Sequence, residues 1–113
     1  MRKMNNAMTS LLHRLGVYEN MQGYYVIKAV VFVALQEPES LLMVTKWLYP
    51  QAAKRCGTNW KALEKNLRTM ISRIWINYPE SLQALTVVPL RKKPTPSQFV
   101  ALLASGLCTE ILE

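Results

Sequence analysis

With 113 residues, half of them hydrophobic, and a formal charge of +7, the chain is long enough to bury a modest core and too apolar to be disordered. Its most apolar run, Ala29 to Leu35, is far too short to span a bilayer, and no long apolar stretch follows Arg2 and Lys3 as a signal peptide would require. Two cysteines outside any CxxC pair, one histidine and no aspartate leave no ligand set for a metal cage.

Residues 1–8, MRKMNNAM, read as a flexible lead-in, and 9–113 as a single helical domain. Thr9 or Ser10 can cap a short first helix carrying Leu11, Leu12 and Leu15, with Gly16 as its stop. His13 lies beside those leucines. With no Asp to orient it and no serine at a useful spacing, it reads as a packed or solvent-facing residue rather than a proton carrier or phosphate contact. In Met21 to Gln36, Val26, Ile27, Val30, Val31 and Val33 suit a strand, but the length free of breakers after Gly23 argues for a buried helix. Tyr24, Ile27, Val31 and Ala34 share one face of it. Glu37-Pro38-Glu39-Ser40 breaks it. Leu41 to Tyr49 is expected as a third helix. Pro50 then suits either the first turn of a new helix or a kink in a continuing one.

Pro50 to Trp75 reads as a short helix, a glycine turn and a longer helix. Ala53 is small enough for two helices to cross there, Gly57 tolerates positive φ, and Leu63 can anchor the second helix on the first. Leu63, Leu67, Met70, Ile71 and Ile74 make an apolar stripe, with Lys61, Glu64, Lys65, Arg68 and Ser72 on the other face. Thr58 or Asn59 stands at the N-cap. The pattern is a helix-turn-helix whose second helix, about 59–76, would enter the DNA major groove. Lysine and arginine can donate to guanine and glutamate can accept from cytosine, so Glu64, Lys65 and Arg68 suit a mixed G/C core. A solvated amphipathic helix has the same spacing.

Charge placement separates the two. Residues 46–93 hold ten basic residues against Glu64 and Glu80, a net +8, while the rest of the chain holds four against five, a net −1. A basic half on a nearly neutral remainder is the footprint of a polyanion binder.

Asn77-Tyr78-Pro79 ends the long helix, Ser81 to Leu85 can make a helical turn, and Thr86 to Leu90 is extended or irregular. Arg91-Lys92-Lys93-Pro94 is a basic loop. Pro96 and Ser97 open a last helix, Gln98 to about Leu107, with Phe99, Leu102 and Leu103 inward and Gly106 at its end. Cys56 reads as a small buried hydrophobe, and the cysteine usage fits a reducing cytoplasm. The fold class is all-α, about six helices with an embedded helix-turn-helix. No cofactor is implied.

Four stretches, TSLLHRLGV at 9–17, GYYVIKAV at 23–30, VTKWLYPQAAK at 44–54 and KKPTPSQFVALLA at 92–104, carry a family resemblance. Its most distinctive parts are Thr45, Lys46, Leu48, Tyr49, Pro50, Ala53 and Lys54, then Lys93, Pro94, Thr95, Ser97 and Phe99. Over about residues 9 to 104 the chain resembles the C-terminal DNA-binding (effector) domain of the stage-zero sporulation protein A family of response regulators. The resemblance implies about six helices, binding to double-stranded DNA elements with a TGTCGAA-type core, often in tandem copies, and control of early sporulation genes. It carries the base-reading roles onto Glu64, Lys65 and Arg68. Lys65 stands where the family has arginine, and lysine lacks the planar two-donor fork, so guanine discrimination should weaken there. Lys54, Arg55, Thr58, Asn59 and Lys61 around the turn are phosphate candidates, with Lys92 and Lys93 for the flanking backbone.

Family members carry a receiver domain built around aspartates, and this sequence has none. Phosphoaspartate control is therefore expected to lie outside it, whether it is an excised effector domain or a short natural relative. The expected function is a sequence-specific cytoplasmic transcription regulator that contacts DNA, self-associates on tandem sites and meets RNA polymerase. The alternative is a helical protein-interaction adaptor that keeps the fold without specific readout. An enzyme is the poorest fit, because no nucleophile has a partner at a useful spacing.

Overall fold

The structure is a computed structural model and describes residues 2–112, with side chains for 5–108. Among them are six α-helices and no strand: α1 (Arg2–Arg14), α2 (Gln22–Gln36), α3 (Tyr49–Cys56), α4 (Trp60–Asn77), α5 (Pro79–Gln83) and α6 (Pro96–Leu112). The all-α expectation holds.

The valine-rich segment is helical because burial overrides its β-branched preference. α2 buries Tyr24, Val26, Ile27, Val30, Val31, Val33 and Ala34, more than one face, so it serves as the axis of the bundle. α3, α4 and α6 all pack on it, and α1 packs on α6. One apolar core runs through all of these, from Met8 to Leu107, and includes Leu12, Leu15, Leu48, Leu63, Ile74, Leu82 and Phe99.

Several boundaries differ from expectation. α1 begins at Arg2 and not at Thr9 or Ser10, and Met8, within the segment read as a lead-in, is buried. Helical spacing puts Met8 in line with Leu11, Leu12 and Leu15, which is why the helix extends backward. Met1 lies outside the described residues. The third helix expected over Leu41 to Tyr49 is a 3₁₀ turn, Pro38–Leu42, followed by a π-helical turn, Val44–Leu48. Leu48 and Tyr49 are drawn into the core while Leu42 and Met43 stay exposed, so the segment does not bury a regular helical stripe. Pro50 lies in the first turn of α3, where its missing N–H costs nothing. Gly106 does not end α6, which continues to Leu112. Leu102 is half-buried, while Phe99 and Leu103 face inward as expected.

Candidate nucleic-acid interface

The turn between α3 and α4 is built by backbone chemistry that the sequence supplies. Gly57 adopts φ 66° and ψ 35°, the left-handed region open to glycine without strain. Its N–H bonds the Lys54 carbonyl at 3.3 Å, and the Thr58 N–H bonds the Ala53 carbonyl at 3.0 Å. Those two bonds are the Schellman pair that closes a helix C-terminus. Two residues on, Asn59 is extended and its Oδ1 accepts from the Ala62 N–H at 2.9 Å, capping α4. Asn59, and not Thr58, is thus the cap. Ala52 and Ala53 are buried against the bundle, and Leu63 is fully buried. The three roles assigned to Ala53, Gly57 and Leu63 are all met.

The stripe Leu63, Leu67, Met70, Ile71 and Ile74 is sealed in the core. Exposure on the other face is centred on Lys61, Ala62, Lys65, Arg68 and Thr69. Lys65 projects with no side-chain partner among the described residues, and only its carbonyl is engaged, by Thr69 Oγ1 at 3.1 Å. Glu64 lies nearer the edge of this face, its side chain 27 % exposed against 62 % for Arg68, and Arg68 Nε donates to Glu64 Oε1 at 3.3 Å. Glu64 and Lys65 point to different parts of the face because successive helical residues are turned about 100° apart.

The structure brings some of the remaining candidates to this face and leaves others apart. Lys93 Nζ donates to Ser72 Oγ at 2.8 Å, which ties the 91–95 loop to α4. Lys93 and Arg68 share a cleft of about 90 Å³ with Pro94 and Pro96. Lys54 and Thr58 are exposed at the turn, and Lys61 Nζ lies 5.9 Å from the centre of the Trp60 ring. Lys92 instead borders a separate apolar groove with Leu90, Pro94 and Leu102. Arg55 leans onto α2, its Cζ 4.3 Å from the Phe32 ring centre and Nη2 3.5 Å from Gln36 Oε1. It stays exposed in that seat, and its remaining N–H donors are open to a phosphate. Sequence reasoning passed over Asn66, Thr69 and Ser72 as site residues. A helical projection centred on Lys65 finds Thr69 and Ser72, because side chains three or four apart share a face and seven apart nearly do.

His13 Nε2 sits 2.7 Å from Glu19 Oε1, and that hydrogen bond holds the Glu19 carboxyl below its ordinary range. The pair satisfies itself at the surface. Cys56 is half-buried and not fully so; burial pushes its thiol pKa up, and Sγ faces the Tyr25 carbonyl at 3.9 Å. Among the described residues no three His, Cys, Asp or Glu cluster as metal ligands, and no helix is long and apolar enough to cross a membrane.

A family model described as "Sporulation initiation factor Spo0A C terminal" matches residues 8–107, which takes in α2 to α5, the second half of α1 and most of α6. With the match spanning the turn, the exposed basic face and the core that carries them, the chain belongs to the Spo0A C-terminal family of non-catalytic, DNA-binding transcription regulators of the sporulation response.

Proposed function

We propose that α4 lies in the DNA major groove and reads a TGTCGAA-like element through Glu64, Lys65 and Arg68. Lys54, Arg55, Thr58, Asn59, Lys61, Lys92 and Lys93 take phosphates along the flanks. The observation that carries this reading is the two-sidedness of α4: five apolar residues sealed inward, with Lys61, Lys65 and Arg68 outward on a helix that follows the hydrogen-bonded Gly57 turn. A helix so mounted can enter a groove about 12 Å wide without disturbing its own core. Self-association on tandem sites, contact with RNA polymerase and a cytoplasmic setting belong to the same reading.

The test is a mobility shift with a TGTCGAA-core duplex against a scrambled duplex, repeated over a salt series. The cognate duplex should bind more tightly, and its Kd should weaken steeply with salt as phosphate contacts release counterions. Equal, weak binding to both duplexes would favour the adaptor.

A further inference from the structure

We propose that Asn66 is a specificity-determining residue whose carboxamide reads an adenine beside the base pair under Lys65. The proposal rests on α4 being the DNA-reading helix and adds a contact that the Glu64, Lys65 and Arg68 set does not contain. Asn66 is half-buried at the rim of a groove of about 360 Å³ between α4 and the first turn of α2, with Lys65 and Thr69 beside it and Gln22 on the opposite wall. The other two asparagines of this region each have a local bond: Asn59 Oδ1 caps α4, which leaves only its Nδ2 for a phosphate, and Asn77 Nδ2 donates to the Arg73 carbonyl at 3.0 Å. The Asn66 carboxamide makes no hydrogen bond to any described residue. An asparagine inside an 18-residue helix lowers its stability relative to alanine, and this one has no internal bond to offset that.

Its surroundings leave it open to a ligand. A helical side chain leans over the turn that precedes it, and four residues back stands Ala62, exposed and ending at Cβ. A base edge can therefore approach from that side. The carboxamide can donate to N7 and accept from N6 of adenine in one plane, a match that lysine and glutamate do not have. Thr69 supports the same preference. Its hydroxyl is committed to the Lys65 carbonyl, so its outward contribution is a methyl group suited to the methyl of thymine. Glu64 and Asn66 flank Lys65 on opposite sides of α4, one suited to cytosine and the other to adenine.

The experiment selects preferred sites from random duplexes with the full chain and with Asn66→Ala, then titrates the selected site carrying 7-deazaadenine at the preferred adenine. Alanine favours the helix, so the variant keeps its fold, which circular dichroism checks. Wild type should enrich one adenine that the variant does not, and the variant should bind the wild-type site about 5- to 150-fold more weakly. Removing N7 should cost wild type part of that loss and cost the variant nothing further. An unchanged adenine preference in Asn66→Ala, or an equal 7-deaza penalty on both proteins, overturns the proposal and leaves the DNA reading standing. A wild-type chain that enriches no sequence overturns both.

Discussion

Arg73, on α4, donates through Nη1 to the carbonyl of Gly16 at 2.7 Å, a contact that joins residues 57 apart in the chain. Gly16 has φ 75°, and the Tyr78 ring occupies the space that a Cβ there would need. Arg73 Cζ lies 5.9 Å from the centre of that ring. The C-terminal half of α4 is thereby fixed to the connection between α1 and α2, while the half nearer the turn keeps its basic face open. Replacing Arg73 with Met keeps the stem and removes the donor. The cost should be about 1.5–3 kcal/mol by urea denaturation, the range for a hydrogen bond to a charged group. The salt slope of DNA binding should not change, whereas Lys61→Ala should lower it by about one.

The turn itself has a separable cost. Nothing lies within 4 Å of a Cβ built on Gly57, so alanine there meets no clash and pays only for its left-handed backbone. Gly57→Ala should lose about 1–2 kcal/mol, and Gly57→Asn less, because asparagine tolerates that region better. Asn59→Ala should lose roughly 1 kcal/mol with the cap. Thermal melts of the three variants rank them, and an alanine variant as stable as wild type would show that the turn relaxes out of the left-handed region.

These two anchors differ in how far the sequence revealed them. Gly57 and Asn59 act on neighbours within five residues, so local chemistry was enough to place the turn and to narrow its cap to Thr58 or Asn59, a choice that the Asn59 side-chain bond to the Ala62 N–H decides. The apolar stripe of α4 was equally legible, since five residues at helical spacing leave few other arrangements. Arg73 could not be read this way, because its partner is a carbonyl 57 residues back, and only the packed bundle brings the two together. The Leu41 to Tyr49 segment failed for a related reason. It is apolar enough for a helix, but which of its residues reach the core is decided by α2 and α3, and the chain winds tightly and then loosely to deliver Leu48 and Tyr49. At the candidate site, residue types were readable, but the Glu64–Arg68 bond and the seat of Arg55 on Phe32 were not.

Arg68 offers the sharpest test of base readout. It is well exposed, and its one side-chain partner among the described residues, Glu64, holds it loosely at 3.3 Å. An exposed i, i+4 pair is worth about 0.3–0.5 kcal/mol, so DNA can draw Arg68 away at small cost. Arg68→Ala should therefore leave stability nearly unchanged and cost on the order of 1–3 kcal/mol at the cognate site, with much less lost on random duplex. Equal losses on both duplexes would reduce Arg68 to a phosphate contact.

Lys65 points to a gain and not a loss. Its side chain is exposed and has no polar partner among the described residues, so Lys65→Arg breaks no hydrogen bond or ion pair there. Arginine restores the planar fork that meets both acceptors of guanine. Discrimination between guanine and the other bases at that position should rise by about tenfold, part of the 1–3 kcal/mol that a good bidentate pair supplies. Competition between duplexes that differ at single positions would measure it. No change would mean that Lys65 does not face a guanine.

Tyr49 ties the site to alkaline stability. It is almost fully buried at the start of α3, and its pKa is pushed from 10.0 up to about 12, first by burial and then by the Glu64 charge, with Arg68 pulling the other way. A phenol whose folded pKa lies above its unfolded one contributes fully while both states hold the proton, below about pH 10. As pH rises from there toward about 12, the unfolded chain ionises first and stability falls. Urea midpoints across that window should decline more steeply for wild type than for Tyr49→Phe, and lysine titration is common to both proteins and cancels in the comparison. Parallel declines would mean that the Tyr49 hydroxyl reaches water freely in the folded state. The same variant separates fold from reading: Tyr49 lies behind Glu64 and Arg68 and not on the exposed face, so its cognate affinity at neutral pH should match wild type.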